Sequence, residues 1–534
     1  MAVFKRRWFM WDLARQRRFD REEFLLVISK LRDLGYNGLG LYLEGAFELK
    51  CLGGGILRKG IMTYEDAAWA KKECEKRGIF LFPMTNVVGH MEHFIRQERF
   101  KHLGAELKQG CMDIKFELPE ARKFAQKIVY EYMKAFDTDY IHIGGDEATL
   151  NDQNRPIYAN FLSGLCDELL ADGKRVGIWD DLLWTHKELI APFSREIEIF
   201  DWHYFSHRPQ SIEFFRNEGF KKLVACPCEN SWIGFIGHQM IASWGDPNKQ
   251  APVLPDEVEA LFEDAVEKGD PDDLNGLLTH WEASMGRDIW GQWSAIARAG
   301  LFMQGKYEAK TRDDEAIEKA IFGRVTPYTE ISHIIQEEIH SVFPHPYNVS
   351  PVRGALFLKR MYAESAALAF KTEKEYLPLV EDAIRRVDAL LDTWTPENEF
   401  EKCCKADIVS VSALMKAAFS LNNAFASCGR LYTEAARLQF ENPEKAKALV
   451  LEYAEEYLRA AELNRAYKTA IGKLIDLTAH TETDLFKLDS TYGYTVKMAE
   501  TIKSFAIADS FKEIPLPTIN FLLDFVLDDI VIER

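Results

Sequence analysis

The chain begins with a repeating pattern. Short apolar runs alternate with longer stretches in which apolar positions recur every three or four residues, and the alternation persists to about residue 305. Runs of the first kind read as buried parallel strands, and stretches of the second as amphipathic helices. Strands are predicted at Trp8–Leu13, Gly38–Leu43, Phe80–Met84, Tyr140–Gly144, Arg175–Trp179, Ile197–Tyr204, Lys222–Cys226 and Asn275–Trp281. Helices are predicted at Arg21–Leu34, Tyr64–Arg77, Pro119–Phe136 and near Ile157–Leu170. Eight strands, each followed by a helix or loop, predict an α/β fold: a closed (β/α)8 TIM barrel over residues 1–305. An open doubly wound sheet is the rival, but no glycine-rich dinucleotide loop follows the first strand.

Beyond residue 306 the strand signals stop. Residues 351–395, 403–434, 444–480 and 490–508 are long amphipathic stretches rich in Ala, Leu, Glu and Lys. They predict a helical C-terminal domain over 306–534, with no fixed-period repeat. Such helices suit packing or self-association, so a homodimer stays open.

Composition narrows the function. Lys plus Arg is 66 against 84 Asp plus Glu, a net charge of −18, which disfavours a polyanionic partner such as nucleic acid. No apolar run approaches the ~20 residues of a membrane span, so no membrane partner is expected. The apolar stretch Trp8-Phe9-Met10-Trp11 ends at Asp12, too short for a signal-peptide core. The nine cysteines have no framework spacing. They read as reduced thiols of a cytoplasmic protein, with export as the lesser option.

The chemistry concentrates in Tyr140-Ile141-His142-Ile143-Gly144-Gly145-Asp146-Glu147-Ala148. A buried strand runs into two glycines and then two adjacent carboxylates. Strand C-terminal ends carry the active site in a barrel, and a glycine bend lets consecutive side chains enter one pocket. An arbitrary Asp-Glu pair would be a solvated loop; this setting favours catalysis. Two carboxylates of different duty suit glycoside hydrolysis, one protonated to serve the leaving oxygen and one ionised to support positive charge.

This segment resembles the His-x-Gly-Gly-Asp-Glu hallmark of glycoside hydrolase family 20, the β-N-acetylhexosaminidases. Arg7, Asp12 and Arg15 resemble the family's opening Arg-x-x-x-x-Asp-x-x-Arg, Asn37 to Glu44 its second strand, and Gly89-His90 the Gly-His after its third. The likeness runs over roughly residues 5–300, without the small domain that often precedes the barrel. It implies that Glu147 is the general acid/base and that Asp146 orients the substrate's 2-acetamido group. That group is the nucleophile, giving an oxazolinium ion and net retention. The implied substrate is a small glycan or glycoconjugate with terminal β-linked GlcNAc or GalNAc.

The resemblance also suggests residues that bind substrate. Arg7 would hold the sugar's 3- and 4-hydroxyls; otherwise it is one solvated member of the basic run Lys5-Arg6-Arg7. His90 would buttress Glu147, with Glu44 as its partner. Trp179, Trp202 and Trp281 stand at later strand ends as walls for the sugar's apolar faces, although tryptophans commonly belong to the core. Tyr204 would donate to the acetamido oxygen, and Glu282 would bind the 4- or 6-hydroxyl. His142 reads as structural, beneath the pocket. No metal site or cofactor is expected. Three positions depart from the family pattern: Gly45 replaces a carboxylate, Asn86 stands where an Asp is usual, and Ala283 takes an acidic place near the eighth strand.

Other readings differ in kind. Gly-Gly-Asp-Glu also echoes diguanylate cyclases, but Ala148 stands where a Phe normally follows. A non-catalytic sugar-binding barrel would gain little from two mutually repelling acids. Release of a disaccharide, or action on a modified sugar, would keep the family and change the job.

Overall fold

A computed structural model describes residues 3–14, 18–53, 60–95, 97–105, 112–202, 210–228, 257–281, 289–307, 313–339 and 377–478, with a few single positions beside these. The strands are β1 (Arg6–Asp12), β2 (Gly38–Tyr42), β3 (Phe80–Met84), β4 (Tyr140–His142), β5 (Arg175–Trp179), β6 (Glu198–Asp201), β7 (Lys222–Ala225) and β8 (Asn275–His280). They form a closed barrel in chain order, every neighbour parallel, with β8 paired back onto β1 (Arg6 opposite Asn275, Trp11 opposite His280). The predicted (β/α)8 architecture is therefore the observed one.

The helices around it follow from local sequence. Helix α1 (Arg21–Asp33) starts where the Asp20 carboxylate accepts the Glu23 N–H, and buries Phe24, Val27, Ile28 and Leu31 along one stripe. Helix α2 (Tyr64–Lys76) opens with a reciprocal capping box between Thr63 and Asp66. The short α3 (Glu92–Ile95) lies in the long loop after β3, and α4 (Pro119–Ala135) begins with proline, whose missing N–H costs nothing at a first turn. Then come α5 (Arg155–Ala171), α6 (Asp181–Thr185), α7 (Ser211–Asn217), α8 (Glu257–Lys268), α9 (Trp293–Met303) and α10 (Asp314–Phe322).

The period of two along β1 decides what fills the barrel. Arg6 and Trp8 point inward. Trp8 lies 4.8 Å from the Phe82 ring and 5.6 Å from Tyr140. Below it, the Arg6 guanidinium pairs with the fully buried Glu198 carboxylate, which also accepts the Tyr140 hydroxyl at 2.6 Å. Phe9 and Trp11 point outward, onto Tyr36 at 5.8 Å and Phe24 at 6.1 Å. This ion pair closes the N-terminal end of the barrel, so the mouth lies at the C-terminal end.

The backbone divides into two compact units. One holds the barrel, and the other comprises Trp232–Val253, Ala283–Gly291 and Thr326–Arg534. The second unit is helical where described: α11 (Tyr328–His333), α12 (Leu377–Thr393), α13 (Glu399–Leu438) and α14 (Pro443–Thr478). The last two, of 40 and 36 residues, pack along a seam of Cys428, Leu431, Ala435 and Leu438 against Ala446, Leu449, Val450, Tyr453 and Tyr457. The three- and four-residue steps of that seam are those of a helical hairpin. Among the described residues no helix is long and apolar enough to cross a membrane, and Cys51, Cys74, Cys166 and Cys226 are free thiols.

Candidate active site

Regular pairing in β4 ends at His142, and the chain bends through Gly144 and Gly145 at φ 73° and 103°. Both glycines are favoured by their dihedral angles, and Gly144 by space as well. A Cβ at Gly144 would lie 2.6 Å from the Asn86 side chain, and one at Gly145 would lie 2.6 Å from Leu162. The bend brings Asp146 and Glu147 to the barrel mouth. Asp146 is buried, 7% exposed, whereas the Glu147 side chain is half exposed.

Asn86 sets the Asp146 carboxylate. It stands just after β3, is fully buried, and donates through Nδ2 to Asp146 Oδ1 at 2.5 Å. Its Oδ1 accepts the N–H groups of Gly145 at 3.1 Å and Val88 at 3.2 Å. Those two acceptances fix which way the amide faces. Burial and then the Glu147 charge push the Asp146 carboxyl up to about 6, while His90 and Asn86 pull the other way.

His90 reaches in from the loop after β3. Its Nε2 lies 2.9 Å from Glu147 Oε2 and 4.0 Å from Asp146 Oδ2. Glu44, expected to partner His90, instead meets His93 at 3.3 Å, and its other carboxylate oxygen is shielded without a hydrogen-bond partner among the described residues. Glu44, His90 and Glu147 share one unusual property. Each follows a barrel strand and has a left-handed φ, 37°, 50° and 52° respectively. Strain of this kind outside glycine persists where surrounding contacts enforce it, and it clusters at functional sites.

The aromatic residues form one side of the mouth. Trp179 ends β5 and Trp281 follows β8; their rings lie 6.4 Å apart, and Trp281 meets Tyr42 edge-on at 4.9 Å. Trp202 is partly buried, and its N–H donates to Asp180 Oδ1 at 2.9 Å. His142 is fully buried and faces Trp179 at 4.2 Å; its Nδ1 accepts the Gly144 N–H, and burial holds its pKa well below the usual histidine range. Tyr204 and Glu282 lie outside the described residues.

Arg7 is not at this mouth. It sits at the N-terminal end of β1, one residue out of phase with the inward-facing Arg6 and Trp8. Its guanidinium donates to the Gly35 carbonyl and the Phe4 carbonyl, each at 2.7 Å. The role the sequence suggested for it, holding sugar hydroxyls, is thus overturned by strand parity and by direction along the barrel axis. At the other end of the same strand, Asp12 is fully buried, and its Oδ1 accepts the Ala14 N–H.

Sequence reading also passed over Asp181. It opens α6 after β5, and its Oδ2 accepts the Glu147 N–H at 3.0 Å. An acidic residue just past the C-terminal end of a barrel strand was the signal available. Two sets of side chains also gather ligand atoms within 4.8 Å of one another, Glu44 with Glu92 and His93, and His90 with Asp146 and Glu147. Each set draws on two strand ends, a grouping that linear spacing does not reveal.

Parts of this chain are similar to known proteins. Residues 59–251 match the model of glycosyl hydrolase family 20, catalytic domain. A lacto-N-biosidase of Bifidobacterium bifidum is 25% identical over 177 residues, covering 28% of this chain and only 15% of that protein. Among solved structures, a β-N-acetylhexosaminidase of Bacteroides fragilis is 16% identical, covering 60% of this chain and 69% of that one at a TM-score of 0.46. A family 20 β-N-acetylhexosaminidase of Streptomyces coelicolor is 17% identical over 61% and 70% of the two chains, also at 0.46. The part of the chain over residues 59–251, which contains the His142-to-Glu147 hallmark, is thus similar to the catalytic domain of glycosyl hydrolase family 20.

Proposed function

We propose that this chain is a retaining exo-β-N-acetylhexosaminidase that removes terminal β-linked GlcNAc or GalNAc by substrate-assisted hydrolysis. The observation that carries the reading is the division of labour between neighbours. Asp146 is buried and locked by Asn86, while Glu147 is half exposed and touches His90.

Glu147 gives its proton to the glycosidic oxygen as the bond to C1 breaks. The acetamido carbonyl oxygen closes on C1 from the opposite face, forming the oxazolinium ion. Asp146 accepts the acetamido N–H and offsets the positive charge; its Oδ1 is engaged by Asn86, which leaves Oδ2 for this task. Glu147, now a carboxylate, takes a proton from water as that water attacks C1. Two inversions give retention, with no enzymic nucleophile. His90 Nε2 rests against Glu147 Oε2 and holds the carboxyl in place through both stages. Trp179 and Trp281 supply rigid apolar walls for the sugar and the acetamido methyl. The implied partner is a small glycan or glycoconjugate.

The test is release of nitrophenol from the β-GlcNAc, β-GalNAc and β-glucose nitrophenyl glycosides in parallel. Hydrolysis of either amide sugar without the glucoside supports acetamido participation. Equal rates on all three overturn it. A second reading, release of a disaccharide, is favoured by the likeness to a lacto-N-biosidase and by Ala283. A nitrophenyl β-disaccharide ending in N-acetylglucosamine at the reducing side, cleaved in preference to the monosaccharide, would establish it.

A further inference from the structure

Strand β5 ends at Trp179, and the two residues that follow are both acids. Asp180 is fully buried and ties the loop to β6 through the Trp202 N–H. Asp181 turns the other way, toward β4, where its Oδ2 accepts the Glu147 N–H at 3.0 Å. Its second oxygen, Oδ1, is shielded from solvent and has no hydrogen-bond partner among the described residues. The N–H that Asp181 holds belongs to a residue with left-handed φ, a conformation unfavourable for glutamate unless something enforces it.

We propose that Asp181 is a positioning residue of this site, which holds the Glu147 main chain in its left-handed turn and so aims the Glu147 carboxyl at the leaving oxygen. The inference rests on the glycosidase reading for the word "leaving", and deepens it by naming what orients the acid. Asp181 faces Asp146 and Glu147 from the β4 loop, Asp180 from its own, and Tyr158 from α5, while His90 faces Asp146 from the β3 loop. Burial, then Asp146, then Asp180, raise its carboxyl well above the usual carboxylate range. What the Glu147 N–H needs is the acceptor oxygen, and an amide at this position keeps one.

The test uses the full chain with Asp181→Ala and Asp181→Asn. Asp181→Ala removes the acceptor and is expected to lower kcat on a poor-leaving-group β-N-acetylhexosaminide by about 10- to 100-fold with KM little changed. Asp181→Asn keeps an acceptor oxygen and is expected to restore kcat to within about 3-fold of wild type. Hydrogen exchange read by mass spectrometry on a peptide spanning residues 143–150, without substrate, should show Glu147 deprotected in Asp181→Ala and protected in Asp181→Asn. Wild-type exchange in Asp181→Ala would overturn the proposal, and so would an Asp181→Asn enzyme as impaired as Asp181→Ala. If the wild-type chain cleaves no β-N-acetylhexosaminide yet Asp181→Ala still deprotects Glu147, the glycosidase reading fails and the positioning role stands.

Discussion

His90 Nε2 stands 2.9 Å from Glu147 Oε2 and 4.0 Å from Asp146 Oδ2, so one imidazole faces both acids but bonds to the exposed one. The two carboxyl groups therefore respond differently to replacement. Glu147→Gln, which has no proton to give, is expected to lower kcat by about 10²–10⁴-fold on poor leaving groups and far less on dinitrophenyl glycosides. Asp146→Asn is expected to slow all leaving groups alike, because the proposed role of Asp146 is on the acetamido group. Steady-state rates over a leaving-group series check both; parallel lines for the two variants would exchange or erase the assignments.

Asp146 also predicts a pH effect on stability. Its carboxyl is raised from an ordinary value of 3.8 to about 6 in the folded chain. The folded state therefore binds this proton more tightly than the unfolded state does. Stability falls as pH rises through the window from about 4 to about 6, by an amount on the order of 3 kcal/mol. Asp146→Asn keeps an acceptor for Asn86 and sheds the buried charge. Its Tm should exceed that of wild type at pH 8, and the difference should vanish below pH 4.

Asn86 is expected to set where activity begins on the acid side. Its amide stabilises the Asp146 carboxylate, so Asn86→Ala moves the acidic limb of kcat/KM to higher pH. Asn86→Asp adds a like charge and moves that limb further in the same direction. An unshifted limb in both variants would detach Asn86 from Asp146.

Arg7, within β1, should matter for stability and not for turnover. Arg7→Ala loses two charge-assisted bonds to the carbonyls of Gly35 and Phe4 and should cost about 1–3 kcal/mol of stability while kcat and KM hold. Denaturant melts and steady-state kinetics on Arg7→Ala read the two effects separately.

At the closed end of the barrel, Glu198→Gln strands the Arg6 guanidinium beneath Trp8. A loss of about 3–5 kcal/mol is expected, since removing one partner leaves a buried charge. The double change Arg6→Met with Glu198→Leu should recover most of it. A double-mutant cycle in urea measures both.

The order of strands was legible because each is a short apolar run set between helices with clear caps. Edges were less so: β4 pairs only to His142, since the bend at Gly144 ends the ladder that apolarity alone would extend. The acid pair was legible because its glycines adjoin it in sequence. Its supports were not. Asn86, His90 and Asp181 come from the ends of different strands, and no linear period relates them. Arg7 misled for the same reason, because its spacing to Asp12 matched a motif while parity and axial position sent it elsewhere. Glu44 went to His93 rather than His90 because both histidines follow β3 and only the turn between them decides which faces β2.

The closure of β8 onto β1 bears on how the chain is made. Lys5, at the start of β1, meets Asp273, which lies 268 positions later. Asp146 and Glu147 are added to the chain before β5 to β8 exist, and before Trp281 is synthesised. Long-range pairings of this kind are slow to form, and large chains pass through incomplete states first. A nascent chain that stops before residue 275 holds the whole His142-to-Glu147 hallmark yet has an open sheet with two unpaired edges. The ring of strands around Asp146 and Glu147 is therefore complete only when the eighth strand arrives.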